Sequence, residues 1–134
     1  ASMEEVSEFF KEEYEEMKLI SEIISNAKIV SPGIFIAASK EEDIITRTVL
    51  SKVAEELLST KDVQAVFVIG KTSNTEVSVS ARSLNDFNVH IIMEAMGGGG
   101  HFSKAATQLQ NETIDHVYEV LEEKVKVFIR DGEI

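Results

Sequence analysis

At 134 residues, 43% of them apolar and 28% charged, the chain has the size and composition of one folded domain with a real core. Its formal net charge of −11 argues against wrapping duplex DNA through a broad basic face, and the lack of cysteine removes disulfides and thiolate metal sites while allowing a cytosolic setting. No apolar run approaches the roughly 20 residues that span a bilayer, and the acidic start, Ala1-Ser2-Met3-Glu4-Glu5, lacks the basic and apolar regions of a signal peptide.

Residues 3–26 place Val6, Phe10, Tyr14, Met17, Ile20 and Ile24 at steps of three or four, which predicts a helix with one apolar stripe. Its other face holds most of the eight glutamates and two lysines found between Glu4 and Glu22, a solvated pattern. Phe9 and Leu19 lie off the stripe, as on a helix that covers a second surface. Pro32-Gly33 marks a turn, and residues 34–38 read as a short strand buried on both faces. Ser39 with Glu42 three residues later matches a capping box. It predicts a helix running to about Leu58, with Ile45, Val49, Val53 and Leu57 inward and Arg47 a lone exposed cation.

Residues 63–70, rich in β-branched and aromatic side chains, form the strongest predicted strand. After a turn at 71–74, residues 76–83 alternate with period two: Val77, Val79 and Ala81 share one face, Ser78, Ser80 and Arg82 the other. The pair reads as a hairpin whose second strand delivers Arg82 and Ser83 at its end. Residues 84–88 form a loop in which Asn88 caps a short helix over 89–96. Four of the seven glycines follow as Gly97-Gly98-Gly99-Gly100, then His101 and Phe102, and residues 105–110 read as a small-residue buried strand. Asn111 or Thr113 caps a last helix with Ile114, Val117, Tyr118, Leu121, Val125 and Phe128 as its stripe and Gly132 just past its end. The sum is an α/β fold: a mixed five-stranded sheet flanked by helices, with a long N-terminal connector helix.

A glycine run between two packed elements points to something that must approach the backbone, because no Cβ blocks the way and positive φ is allowed. Its amides can converge on an anion. Arg82 offers a planar fork of donors matched to phosphate oxygens, and Ser83 adds a hydroxyl. The local balance is basic, with Lys71, Arg82, His90, His101 and Lys104 against Glu76, Asp86 and Glu94. The alternatives are plain: a surface ion pair for Arg82, a mobile loop for the glycines, a packed imidazole for His101. His90 and His116 fall on predicted helices and read as structural or exposed. Spacing alone leaves open whether the two segments meet. No Walker lysine follows the glycines, no Gly-x-Gly-x-x-Gly follows the first strand, and neither a metal-ligand cluster nor a nucleophile motif is present. These are parts for holding a phosphate, with none for activating water.

The stretch Gly97-Gly98-Gly99-Gly100-His101-Phe102-Ser103-Lys104-Ala105-Ala106-Thr107-Gln108-Leu109 resembles the glycine-rich signature of the DHH-associated domain, and Val79-Ser80-Ala81-Arg82-Ser83 resembles that domain's second motif. The domain is the C-terminal, substrate-binding half of DHH-superfamily phosphoesterases, among them RecJ nucleases, nanoRNases and cyclic-dinucleotide phosphodiesterases. The fourth glycine, Phe102, the run Ala105-Ala106-Thr107-Gln108 and the helix segment Phe9-Phe10-Lys11-Glu12-Glu13-Tyr14 are most similar to the membrane-anchored phosphodiesterases of cyclic di-AMP.

The resemblance implies that residues 1–29 connect to a catalytic half lying outside this chain and that residues 30–134 form the substrate domain. It further implies a cytoplasmic domain of a membrane-anchored protein, whose catalytic half holds manganese, generates hydroxide and stabilises in-line attack on phosphorus. Arg82, Ser83, Gly97, Gly98, Gly99, Gly100 and His101 would position substrate across the cleft between halves. The implied partners are a cyclic dinucleotide or short oligonucleotide, the DHH catalytic half and a second copy in a homodimer. Rival readings are a nanoRNase- or RecJ-like oligonucleotide nuclease and a non-enzymatic nucleic-acid-binding module, since related domains end alanyl-tRNA synthetases. This chain by itself is expected to be catalytically inactive.

Overall fold

The computed structural model describes residues 3–84 and 86–132. In chain order the elements are α1 (Met3–Ser25), β1 (Lys28–Ser31), β2 (Ile34–Ala38), α2 (Arg47–Leu58), β3 (Ala65–Lys71), β4 (Glu76–Ser83), α3 (Val89–Ala95), β5 (Gly99–His101), β6 (Lys104–Gln110) and α4 (Ile114–Arg130). The strands make one mixed sheet in the order β1-β2-β3-β4-β6-β5. Only β2 and β3 run parallel, joined by α2 as a crossover helix; the other pairings are antiparallel.

Six strands stand where five are predicted. The two least legible, β1 and β5, are four and three residues long. A Gly-Gly-His segment has no intrinsic strand preference; tertiary pairing with β6 across the Phe102-Ser103 turn makes it a strand.

The two faces of the sheet are covered differently. On one, Ile34, Ile36, Phe67, Ile69, Val77, Val79 and Ala81 pack against Ile92 and Met93 of α3 and Val117, Leu121, Val125 and Phe128 of α4. Phe87 ties the 84–88 loop into this core, with ring centroids 6.3 Å from Phe67 and 4.9 Å from Phe128. On the other face, Ala37, Val66 and Val68 pack against Val49, Leu50, Val53, Ala54 and Leu57 of α2 and Ile23 of α1. That helical cover reaches across β3 and β4 and goes no further, so β6 and β5 lie open on this side. The serines at alternate positions of β4 lie under the edge of this cover: Ser78 and Ser80 are buried, and their hydroxyls are held in hydrogen bonds with Thr72 and Arg82.

Three helix starts carry side-chain caps. Thr46 accepts from the Val49 amide at 3.1 Å, Asn88 from His90 at 3.0 Å and Thr113 from His116 at 3.1 Å. The capping box expected at Ser39 does not form. Ser39 continues the extended chain, its amide donating to the Ile69 carbonyl at 3.0 Å, and the Ile45 amide bonds the Lys71 carbonyl at 2.8 Å. Holding residues 39–45 against β3 buries Ile45, a gain that a local capping motif does not offset, and Thr46 supplies an equivalent cap immediately before the helix. Arg47 is exposed as expected but is not a lone cation: its Nη2 lies 3.1 Å from Glu76. In β6 only Ala105 and Thr107 are buried, so this strand has one covered face, not two.

Helix α1 docks by its C-terminal third, with Ile23 buried and Leu19, Ile20 and Ile24 partly so. Phe9, Phe10, Tyr14 and Met17, three of them in the predicted stripe, remain exposed. No described helix is long and apolar enough to cross a membrane.

Candidate functional site

At the edge of α2, β4 and the uncovered β6 form the floor of a cleft of about 380 Å³. Arg47, Leu50 and Ser51 of α2 make one wall; Ser78, Ser80 and Arg82 of β4 and Lys104, Ala106 and Gln108 of β6 make the floor; Gly99, Gly100 and His101 of β5 close the far side. Strand register arranges the floor in rows. Arg82 lies opposite Lys104, and Lys104 opposite His101, which puts three basic side chains in one rung across β4, β6 and β5. The next rung on the same face is Ser80, Ala106 and Gly99, and the one after pairs Ser78 with Gln108.

Arg82 is only 7% exposed, yet no described carboxylate pairs with it. Its Nη1 donates to Ser80 Oγ at 3.0 Å and the Ala81 carbonyl at 2.9 Å, and its Nη2 donates to Ser51 Oγ at 3.0 Å. Its Nε is buried and has no partner. Burial holds the guanidinium below its ordinary pKa, with Glu55 at longer range acting in the opposite sense. Arginine stays protonated even so, and the result is a fixed, oriented, uncompensated positive charge beside an open cleft.

The opposite end of the cleft is acidic and already satisfied. Glu76 Oε1 accepts from Arg47, from Thr72 Oγ1 at 2.6 Å and from Ser78 Oγ at 3.3 Å, while Oε2 accepts from Gln110 at 3.3 Å. The Thr72 hydroxyl first, and Arg47 next, lower this carboxyl's pKa.

The four glycines do four different things. Gly97, at φ +85°, is the left-handed residue that ends α3, and its amide donates to the Glu94 carbonyl at 3.0 Å. The Gly98 amide donates to Met93 at 2.8 Å, which completes a Schellman motif, and a Cβ there would sit 2.1 Å from the Ala106 carbonyl oxygen. Gly100, at φ +141°, packs on Ala105, where a Cβ would come within 2.5 Å of its Cα. Gly99 is different: nothing lies within 4 Å of its missing Cβ, and it faces the cleft. Packing therefore accounts for Gly98 and Gly100, and helix termination for Gly97. Only Gly99 lacks a reason internal to the fold.

Of the expected site residues, the structure brings together Arg82, Gly99, Gly100 and His101. Gly97 and Gly98 lie outside the cleft lining, their amides engaged by α3. Ser83 points the other way, its hydroxyl donating to the Phe87 carbonyl at 2.6 Å and lying 3.4 Å from that of Phe102, where it braces the loops behind the site. His90 and His116 lie outside it, each beside a glutamate four residues away: Glu94 on the same helix for His90, and Glu112 just ahead of the α4 cap for His116. Lys104, counted in the sequence only toward the local basic balance, joins the site, as do Ser80, Gln108 and Ser51, which were not foreseen. The first three follow from two-residue alternation along β4 and β6; Ser51 reaches Arg82 across 31 positions and has no local signal. Among the described residues no group of three or more His, Asp or Glu side chains is placed to hold a metal ion.

The family model described as the DHHA1 domain matches residues 27–127. A relative named cyclic-di-AMP phosphodiesterase GdpP, from Geobacillus thermodenitrificans, is 38% identical over 112 residues, which cover 84% of this chain and 17% of that protein. A membrane protein–large ribosomal subunit bL9 fusion protein from Aster yellows witches'-broom phytoplasma is 36% identical over 129 residues, covering 96% of this chain and 15% of the relative. The chain thus spans less than a fifth of the length of these curated relatives. A solved structure of the pGpG-specific phosphodiesterase PggH from Vibrio cholerae shares the fold at a TM-score of 0.59 and 17% identity, over 95% of this chain and 46% of that one. With the family match spanning both the arginine-bearing strand and the glycine turn, this chain belongs to the DHHA1 domain family.

Proposed function

We propose that this chain is the substrate-holding domain of a DHH-type phosphodiesterase, gripping a phosphate of cyclic di-AMP or of its linear dinucleotide product. The observation that carries this reading is Arg82: a buried guanidinium with no paired carboxylate and an unpartnered Nε. A buried charge is costly unless something of opposite sign compensates it. A phosphate oxygen at the cleft floor would do so, with Ser51 and Ser80 fixing the plane of the fork. Lys104 adds a point charge and His101 a ring nitrogen in the same rung, and Gly99 lets a ligand settle against bare backbone. The relative named as a cyclic-di-AMP phosphodiesterase supports a dinucleotide as the ligand.

Manganese belongs, on this reading, to a DHH half of the same protein. The role left to this chain is to bind and orient substrate. The relative named as a membrane protein supports a membrane-anchored parent protein. With one small basic rung on a protein of net charge −11, a short ligand is favoured over a long polyanion.

Calorimetric titration of the 134-residue chain with cyclic di-AMP, with linear diadenylate and with a single-stranded oligonucleotide of about 20 nucleotides tests this. Dinucleotide binding with a salt slope equivalent to about one or two phosphates is expected. Failure of both dinucleotides to bind, or oligonucleotide binding with a steep salt slope, would overturn it.

A further inference from the structure

We infer that Gln108 reads the base edge of the nucleotide whose phosphate Arg82 holds, and that it selects adenine over guanine; this rests on the phosphate-holding reading above. Arg82, Ser80 and Ser78 share one face of β4, so the floor runs about 13 Å from the basic rung to the row of Ser78 and Gln108, at roughly 3.3 Å per residue. The rung between them carries nothing larger than serine: Ser80, Ala106 and Gly99 form a low shelf two strand spacings wide. A phosphate anchored at the basic rung leaves its sugar and planar base to lie over that shelf, with the base edge at the row of Ser78 and Gln108.

At that end most polar groups are already committed. The Ser78 hydroxyl is bonded to Thr72 at 2.8 Å and to Glu76, and the Glu76 carboxylate is shared among Arg47, Thr72, Ser78 and Gln110. Gln108 is exposed and lines the cleft, and its side chain makes no hydrogen bond to another described residue. Its amide offers a donor and an acceptor side by side, which matches the N7 acceptor and N6 amino donor of adenine. Guanine presents two acceptors on that edge, N7 and O6, and would leave the amide oxygen unpaired. An arginine at this position would reverse the preference, since a guanidinium pairs with both guanine acceptors.

The test is the ratio of affinities of the 134-residue chain for linear diadenylate and linear diguanylate, measured by calorimetry for the parent chain, Gln108→Leu, Gln108→Arg and Arg82→Met. The parent is expected to prefer diadenylate by about tenfold, within the range a bidentate base contact supplies. Gln108→Leu should bring the ratio close to one, and Gln108→Arg should favour diguanylate. Arg82→Met should weaken both ligands together without altering the ratio. Because Gln108 is exposed on a strand, its variants are expected to keep the parent's thermal stability. If both dinucleotides bind, Arg82→Met weakens both, and the ratio is the same in all Gln108 variants, the base-reading role is wrong and the phosphate reading stands. If neither dinucleotide binds the parent chain, both fall.

Discussion

Arg82→Met keeps an unbranched side chain of similar length on the cleft floor and removes the guanidinium. Three hydrogen bonds of 2.9–3.0 Å are lost, to Ser80, Ala81 and Ser51. Each is worth about 1 kcal/mol net where water can reach the freed acceptor, so about 3 kcal/mol in all. Against this stands the relief of burying an uncompensated charge, an effective penalty of several kcal/mol per ion. The two nearly cancel, and the variant's stability should lie within about 1 kcal/mol of the parent, a shift in Tm of at most about 4 °C. Phosphate binding has no such compensation. Loss of a charge-assisted contact worth about 1.5–3 kcal/mol should weaken linear diadenylate about 10- to 150-fold. Calorimetry with the dinucleotide, paired with thermal unfolding, separates the two quantities. Unchanged affinity, or a large drop in Tm with affinity falling only as the folded fraction falls, would refute the reasoning.

Gly98→Ala and Gly99→Ala should part company. The first forces a Cβ to 2.1 Å from a backbone oxygen and should cost about 3 kcal/mol or more of stability by denaturant unfolding, whereas the second, with open space around it, should leave stability intact and weaken dinucleotide binding. Thr46→Ala should destabilise by about 1 kcal/mol through the lost cap, and Ser39→Ala should cost no cap energy, since no helix starts there; equal losses would restore the capping box. His116 has its pKa raised by its hydrogen bond to Glu112, so this contact contributes fully below the ordinary histidine value of about 6.5 and is lost as pH rises through the higher folded value. An NMR titration should show a lower His116 pKa in Glu112→Gln, and an identical titration curve would remove that cause.

Much of the architecture was legible because burial imposes a period. The alternation in β4 put Val77, Val79 and Ala81 on one face and Ser78, Ser80 and Arg82 on the other, and the first three pack in the core beneath α3 and α4 while the second three line the cleft. The same alternation groups Ser83 with Ala81, away from Arg82, so the divergence of that pair was already written in its parity. The glycine turn was legible as a place of close backbone approach. Its division of labour was not, because only the way the turn packs on the next strand, at Lys104 to Thr107, distinguishes Gly98 and Gly100 from Gly99. The capping box at Ser39 misled for a related reason: a four-residue motif carries no information about the pairing of Ile45 with Lys71 that overrides it. The incomplete cover of the sheet, which creates the cleft, is a property of where α2 ends up, and its trace is in β6, where Lys104, Gln108 and Gln110 stay exposed.

The central claim is that the buried guanidinium awaits an anion, and the Nε–H signal of Arg82 reports on it directly. In a ¹H–¹⁵N spectrum of the 134-residue chain titrated with linear diadenylate, that signal should shift and become protected from exchange, together with the amides of Gly99, Gly100 and His101. Perturbations gathered elsewhere, along α1 for instance, with the Arg82 signal unmoved at saturation, would contradict the account.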